Sequence, residues 1–92
     1  MFKVIFTNKM KRDVKLMEKR GKNMSKLYET LKLLANGAPM PPKYHDHPLG
    51  GEFNEYRECH IEGDWLLMYR IYENKLILSA SATGTHSDLF GR

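Results

Sequence analysis

The sequence predicts a small α+β domain in which two N-terminal helices pack on a small antiparallel sheet, in the order β-α-α-β-β-β. Two segments with helical apolar spacing lie in the first forty residues, and three strand-like apolar segments lie in the last forty. The chain has 92 residues, enough for one modest core. We therefore expect a single domain over residues 1–92, with a basic helical hairpin at about 8–36, a loop at 37–55, and a sheet with a tail at 56–92.

Local residue patterns predict the first strand and the helical hairpin. The run FKVIF at 2–6 is aromatic and β-branched, and Thr7-Asn8 after it can cap a helix. Apolar residues then recur at helical spacing on both sides of Gly21. They are Met10, Val14 and Met17 before the glycine, and Met24, Leu27, Tyr28, Leu31 and Leu34 after it. This spacing indicates two helices joined by a tight turn.

A long loop and three strands complete the predicted fold. The loop segment 37–55 is rich in Pro and Gly, which interrupt periodic structure, and ordered loops of this length are usually functional. Strands are predicted at 56–62, 65–73 and 75–83, with short links that fit antiparallel hairpins. The middle strand is apolar on both faces and should lie centrally, while the first strand joins the sheet by long-range pairing.

Basic residues are concentrated in the first 32 positions. That segment has ten Lys or Arg against three Asp or Glu, a net charge of +7, whereas residues 33–92 have a net charge of −3. Such a surface attracts a polyanion or an acidic protein, although a solvated Lys-rich helix face would have the same composition. The candidates for RNA contact are Lys9, Lys11, Arg12, Lys15 and Lys19.

The sequence contains neither a run of about 18 apolar residues nor a secretory cleavage signal. Cys59 is the only cysteine, so no internal disulfide can form. We therefore expect a cytoplasmic protein that does not associate with a membrane.

Four histidines in the second half of the chain are candidates for acid–base chemistry, and none is predicted to lie in a helix. They are His45 and His47 in the loop, His60 in a strand, and His86 after the last strand. If the tail folds back on Phe90, His86 approaches His60, with Asp64 at the adjoining turn. Histidines with a carboxylate can supply the base and the acid for cleavage of RNA through its 2′-hydroxyl, a reaction that also needs a cation near the phosphate.

Each of these residues also has a structural interpretation. The His45-Asp46-His47 sequence resembles part of a metal site, but no second close ligand pair accompanies it, so we predict neither a metal nor another cofactor. His60 fits a sheet histidine and Asp64 a turn residue equally well. Trp65 and Phe90 fit core positions as well as base-stacking positions. From the residues alone, catalytic, structural and protein-binding roles all stay open.

Four motifs in order make the second half of the chain resemble a known family. They are the His-Pro-Leu loop in YHDHPLGG, the Tyr-Arg-x-x-His strand in YRECH, the Asp-Trp pair in GDWLLMYRI, and the ending ATGTHSDLF. Together they resemble the YafQ branch of the RelE/ParE toxin superfamily, and the basic hairpin before them has the length and order typical of it. The resemblance implies a RelE-like fold and a type II toxin, a ribosome-dependent mRNA interferase that cleaves mRNA in the ribosomal A site. It also implies a DinJ-like antitoxin that holds the toxin inactive.

The resemblance assigns roles to individual residues. Those that it implies are catalytic are His47, His60, Asp64 and His86, and those that position RNA are Trp65 and Phe90. Within this set we expect His86 to be the general acid, Asp64 or His47 the base, and His60 the residue that orients the phosphate. The basic helices would bind ribosomal RNA.

Position 82 departs from the family pattern. Relatives carry Arg immediately before Thr-Gly-Thr-His, whereas this chain has Ala82. Loss of a preorganised cation should cost about 2.7–4 kcal/mol of transition-state stabilisation. We therefore expect attenuated activity. Either the alanine was introduced to make a lethal toxin expressible, which we favour, or the natural protein is weakly active or uses another cation such as Arg57 or Arg70.

Two other functions are consistent with the sequence. A non-catalytic module that binds the antitoxin or the ribosome would explain the alanine at position 82. A gyrase-poisoning toxin of the ParE type is disfavoured, because that activity does not require this set of histidines.

Overall fold

The computed structural model describes residues 1–37 and 39–91, which form three helices and a five-stranded sheet. The elements are β1 (Lys3–Phe6), α1 (Asn8–Lys19), α2 (Met24–Ala35), β2 (His47–Pro48), β3 (Arg57–Glu62), β4 (Trp65–Tyr72), β5 (Ile77–Gly84) and α3 (His86–Phe90). The predicted α+β class is confirmed, with β2 and α3 as additional elements. The predicted loop at 37–55 contains β2 and two 3-10 turns, and its residue Ala38 lies outside the described residues.

The helical hairpin forms where the apolar spacing predicts it. The Thr7 hydroxyl accepts a hydrogen bond from the Met10 backbone N–H at 3.0 Å and caps α1. Asn23 caps α2 in the same way, since its side-chain oxygen accepts from the Ser25 N–H at 3.0 Å. Gly21 between the helices has φ +81°, a conformation that glycine adopts without strain. The buried apolar residues of α1 and α2 therefore face the sheet together.

The sheet has the strand order β1-β5-β4-β3-β2, with β4 at its centre as predicted. Three pairs are antiparallel, but β1 runs parallel to β5, so the sheet is mixed rather than purely antiparallel. The whole chain between β1 and β5 forms their connection, so no hairpin turn constrains their relative direction. β2 was not predicted, because its two residues are too few to show the alternation of a strand.

The two faces of β3, β4 and β5 have different surroundings, because side chains alternate along each strand. The hairpin face packs under α1 and α2 and includes Cys59, Ile61, Trp65, Leu67, Tyr69, Leu78 and Ala80. The opposite face includes Glu58, His60, Met68 and Ala82. Ser81 is an extra residue in the β4–β5 ladder, since Met68 pairs with Ala82 and Tyr69 pairs with Ala80. This bulge turns Ala82 to the opposite face.

A short helix follows β5, which corrects the expectation that no histidine lies in a helix. Thr85 and Asp88 form a capping box, and His86 is the first residue of α3. Five residues are too few to show a helical period, but the Thr-x-x-Asp spacing is a signal that could have revealed the helix start.

Within the two described ranges, no helix is both long enough and apolar enough to cross a bilayer.

Candidate active site

The four residues expected to be catalytic converge on one end of the sheet from four elements. His47 lies on β2, His60 on β3, Asp64 in the β3–β4 turn and His86 on α3. His86 Nδ1 is 2.7 Å from Asp64 Oδ1, and the His60 and His86 ring centroids are 6.3 Å apart. The fold therefore assembles two histidines and a carboxylate, with His47 reaching the same site through Glu58.

The position of His86 depends on a tight strand-to-helix junction. Gly84 ends β5 with φ +157°, and a Cβ built there would lie 2.8 Å from Asp88 Cβ. Asp88 accepts a hydrogen bond from the Thr85 backbone N–H at 2.9 Å and a second from Arg20 at 2.7 Å. Asp88 thus joins α3 both to its own first turn and to the chain just beyond α1.

Two carboxylates near His86 have lowered pKa values. The hydrogen bond from His86 is the main reason that the pKa of Asp64 lies below its usual range. Arg20 and the Thr85 backbone N–H together hold the pKa of Asp88 far below its usual range. Both groups are therefore ionised at neutral pH, and Asp64 accepts a hydrogen bond from the Nδ1–H of His86.

Glu58 is a site residue that the sequence analysis missed. Its side chain is only 2% exposed, and its Oε1 lies 3.5 Å from His47 Nε2 and 4.0 Å from His86 Nε2. The signal was available, because strand alternation places Glu58 on the same face as His60, two positions along β3. A glutamate at an interior strand position is rarely buried without a polar partner.

The aromatic residues expected to position RNA have different surroundings. Trp65 is only 1% exposed, and its Nε1–H donates to Thr83 Oγ1 at 2.9 Å on the hairpin face. The indole is therefore enclosed in the core, and the expected stacking role of Trp65 stays a prediction. Phe90 is partly exposed on α3, with its ring centroid 6.0 Å from that of His86 and 5.7 Å from that of Phe53.

Position 82 lies in the site but carries no charge. Cross-strand pairing forms a row of His47, Glu58, Met68 and Ala82 on neighbouring strands. Ala82 is 0% exposed, one strand beyond Met68. The side chain of an arginine at position 82 would extend from the same cross-strand row that holds Glu58 and His47.

The two arginines considered as substitutes for that cation lie on different faces. Arg57 pairs across the sheet with Tyr69, donates to Asp46 at 3.0 Å and lines a cavity with Phe2 and Leu34 on the hairpin face. That position excludes Arg57 as a replacement for the cation that is missing at position 82. Arg70 lies two positions after Met68 on β4, on the opposite face, and donates to the exposed Glu55 at 3.1 Å.

The basic residues expected to contact RNA all lie on α1 and are exposed. They are Lys9, Lys11, Arg12, Lys15 and Lys19. Lys9 pairs with Asp13 at 2.8 Å, and Asp13 also accepts from the Thr83 backbone N–H at 3.1 Å. The outer surface of α1 is therefore positively charged.

The His45-Asp46-His47 segment does not converge on one point. Asp46 accepts hydrogen bonds from Tyr69 and Arg57, while His47 Nδ1 lies 2.6 Å from the His45 carbonyl oxygen. Across residues 1–37 and 39–91, no group of three His, Cys, Asp or Glu side chains is arranged to hold a metal ion.

Comparisons with known proteins each match nearly the whole chain, and all of them match it to the same kind of protein. The family described as bacterial toxin of type II toxin-antitoxin system, YafQ, matches residues 2–91. The mRNA interferase toxin YafQ of Escherichia coli strain K12 is 42% identical over 87 residues, which cover 94% of this chain and 92% of that protein. The crystal structure of YafQ from E. coli strain BL21(DE3) superposes with a TM-score of 0.91 at 39% identity, covering 99% of this chain and 100% of that one. The E. coli DinJ-YafQ complex gives a TM-score of 0.89 at 40% identity, with the same coverage.

Proposed function

Because the chain belongs to the YafQ family of type II toxin–antitoxin toxins, we propose that it is an mRNA interferase, an endoribonuclease that cleaves mRNA by transesterification. The observation that carries the proposal is the 2.7 Å contact between His86 Nδ1 and Asp64 Oδ1, in a site that also contains His47 and His60. This arrangement supplies an oriented imidazole beside further groups that can exchange protons.

In the proposed reaction, a ribose 2′-oxygen attacks the adjacent phosphorus while the bond from phosphorus to the 5′-oxygen of the next nucleotide breaks. His47 Nε2 takes the proton from the 2′-hydroxyl, and His86 Nε2 gives a proton to the departing 5′-oxygen. Asp64 accepts the Nδ1–H of His86, so it orients that ring and does not serve as the base. His60 orients the phosphate from β3, and Phe90 stacks on a base beside His86.

The charge that develops on the phosphate requires a cation, and Ala82 supplies none. We propose that Arg70 fills part of this role from the opposite face of β4, since its partner Glu55 is exposed and such surface pairs are weak. Activity is therefore lower than that of a form with arginine at position 82.

The proposed partners are the ribosome, its mRNA and an antitoxin similar to DinJ, in the cytoplasm. The E. coli DinJ-YafQ complex supports the antitoxin, because the YafQ chain of that complex superposes over the length of this one. The exposed basic residues of α1 would contact ribosomal RNA through its phosphates and bring the site to mRNA in the A site.

A translation-coupled cleavage assay tests the proposal. Ala82→Arg should cut mRNA about 10²–10³-fold faster than the chain with alanine, because it restores a preorganised cation. Adding His86→Ala to Ala82→Arg should reduce cutting by about 10²–10⁴-fold, as expected for loss of a general acid. Equal cutting with and without His86 would remove it from the mechanism.

The second candidate function is a non-catalytic module that binds an antitoxin or the ribosome, and the buried, uncharged Ala82 favours it. Under this function, expression of Ala82→Arg should leave cell growth unaffected. Growth arrest that a DinJ-like antitoxin relieves would reject it and support the nuclease.

A further inference from the structure

Glu58 is a buried ionisable group for which the proposed reaction has no use so far. It lies at an interior position of β3, and its side chain is almost fully buried. Oε2 is enclosed without a hydrogen-bond partner in the described part of the chain, while Oε1 lies near two imidazoles. Burial of a carboxylate without full hydrogen bonding is unfavourable, so the fold retains Glu58 at a cost to its stability.

The two imidazoles near Glu58 present the same nitrogen to it. His47 Nδ1 lies 2.6 Å from a backbone carbonyl oxygen, which can only accept, so Nδ1 carries a hydrogen. His86 Nδ1 lies 2.7 Å from the ionised Asp64, so it too carries a hydrogen. In both rings Nε2 is therefore the atom left for proton exchange, and both Nε2 atoms lie within 4.0 Å of Glu58 Oε1.

We propose that Glu58 is a positioning residue that fixes His47 and His86 with their Nε2 atoms beside one carboxylate oxygen, an inference that rests on the proposed nuclease function. From a fixed point in the sheet, the carboxylate oxygen attracts the hydrogen on His86 Nε2 before the proton transfers and the hydrogen that His47 Nε2 has gained after them. It limits rotation of both rings, which come from β2 and α3 and whose Nδ1 atoms have their own hydrogen-bond partners. One rigid group thus sets the geometry of the base and the acid together.

Glu58 acts through the histidines and does not touch the substrate, because its carboxylate is covered. It is distinct from Asp64, which is exposed and lies on the Nδ1 side of the His86 ring. Removing the charge of Glu58 should therefore slow the chemical step without weakening RNA binding.

The first test compares cleavage by Glu58→Gln, Glu58→Asp and the control Glu62→Gln, each in the Ala82→Arg form. Glu62 lies on the same strand, is exposed and pairs with Lys26 away from the histidines. Glu58→Gln should lower the single-turnover rate on the order of 10²-fold, because misplacement of reacting groups by about 1 Å has an effect of this size. The RNA concentration at half-maximal rate should not change. Glu58→Asp keeps the charge and should recover part of the rate, whereas Glu62→Gln should match its parent.

The second test does not depend on nuclease activity. The ¹⁵N resonances of the imidazole rings report the surroundings of each nitrogen in the folded protein. Glu58→Gln should shift the Nε2 resonances of His47 and His86 together, and Glu62→Gln should leave both in place.

The outcomes of these two tests distinguish the proposed nuclease function from the proposed positioning role of Glu58. If no form cuts RNA but both Nε2 resonances shift in Glu58→Gln, the nuclease function fails and the positioning contact stands. If Glu58→Gln leaves the resonances unchanged, or cuts at the parent rate in an active form, Glu58 does not position the histidines. A fall in rate that Glu58→Asp does not recover at all, with unshifted resonances, would likewise overturn the inference.

Discussion

The two faces of β3, β4 and β5 are built from alternating residues of the same strands, yet they differ in how completely their polar groups are paired. On the hairpin face, Trp65 Nε1–H donates to Thr83 Oγ1, and that hydroxyl donates to the Leu66 carbonyl at 2.6 Å. On the opposite face, one carboxylate oxygen of Glu58 has no partner in the described part of the chain. Satisfied groups on one face stabilise the fold, while the incompletely paired face has groups available for chemistry.

This comparison predicts that substitutions on the hairpin face change stability and that substitutions on the opposite face change cleavage. A residue that affects both would show that the faces are coupled.

Trp65→Ala should have the largest effect. Removing a large buried aromatic side chain leaves a cavity and should lower the free energy of unfolding by about 3–5 kcal/mol. Urea unfolding followed by circular dichroism measures this change. Cutting per folded molecule should be retained in the Ala82→Arg background. A stable Trp65→Ala protein that cannot cut would be evidence that Trp65 stacks on RNA.

Thr83→Val should have a smaller effect on the same face. The valine is close in shape but leaves the buried Trp65 Nε1–H without an acceptor, which should cost about 1–3 kcal/mol. Ser81→Ala is a suitable control, because the Ser81 hydroxyl is only partly buried and donates to the nearby Ser79 carbonyl. Equal unfolding midpoints for the two variants would mean that the Trp65–Thr83 bond contributes nothing measurable.

The hairpin face was largely predictable from the sequence, because its signals are local. Apolar spacing predicted α1 and α2, and Thr7-Asn8 predicted the start of α1. Apolar runs predicted β1, β3, β4 and β5, and the apolar character of both faces of β4 predicted its central place. The parallel pairing of β1 with β5 was not predictable, since the two strands lie at opposite ends of the chain.

The opposite face was predictable only in part. Motifs identified the histidines and Asp64, and the fold brings them together, although their catalytic roles stay predictions. The bulge at Ser81 changes which face Ala82 and Thr83 occupy, and no local pattern reveals it. The contact between Trp65 and Thr83 was not predictable for this reason, because the bulge places the Thr83 hydroxyl on the hairpin face. Glu58 was missed because a charged residue within a strand does not by itself indicate burial.

Gly84→Ala tests the junction between the two faces. A Cβ at this position would lie 2.8 Å from Asp88 Cβ, and the φ of +157° is unfavourable for alanine. Relief of this strain should loosen α3 and lower the free energy of unfolding by about 1–3 kcal/mol. Gly91→Ala, at a positive φ with no atom within 4 Å, controls for backbone strain alone. Gly84→Ala should also slow cutting, because His86 follows one residue later. Normal cutting by Gly84→Ala would show that α3 is not set by this contact.

The pH dependence contributed by Asp88 should be the smallest effect. Arg20 and then the Thr85 backbone N–H lower the pKa of Asp88 in the folded protein, so this carboxylate is ionised more readily in the folded state than in the unfolded one. Its contribution to stability is therefore complete above the ordinary Asp pKa of about 3.9. The contribution is lost as the pH falls towards the lower pKa that Asp88 has in the folded protein. Unfolding measured from neutral pH to about pH 2 should show Asp88→Asn less stable than the parent at pH 7, with the gap narrowing in acid. Arg20→Gln keeps the capping box and should show only part of that gap. A gap that stays constant across the whole pH range would mean that the Asp88 charge does not hold α3 in place, and that helix capping alone positions His86.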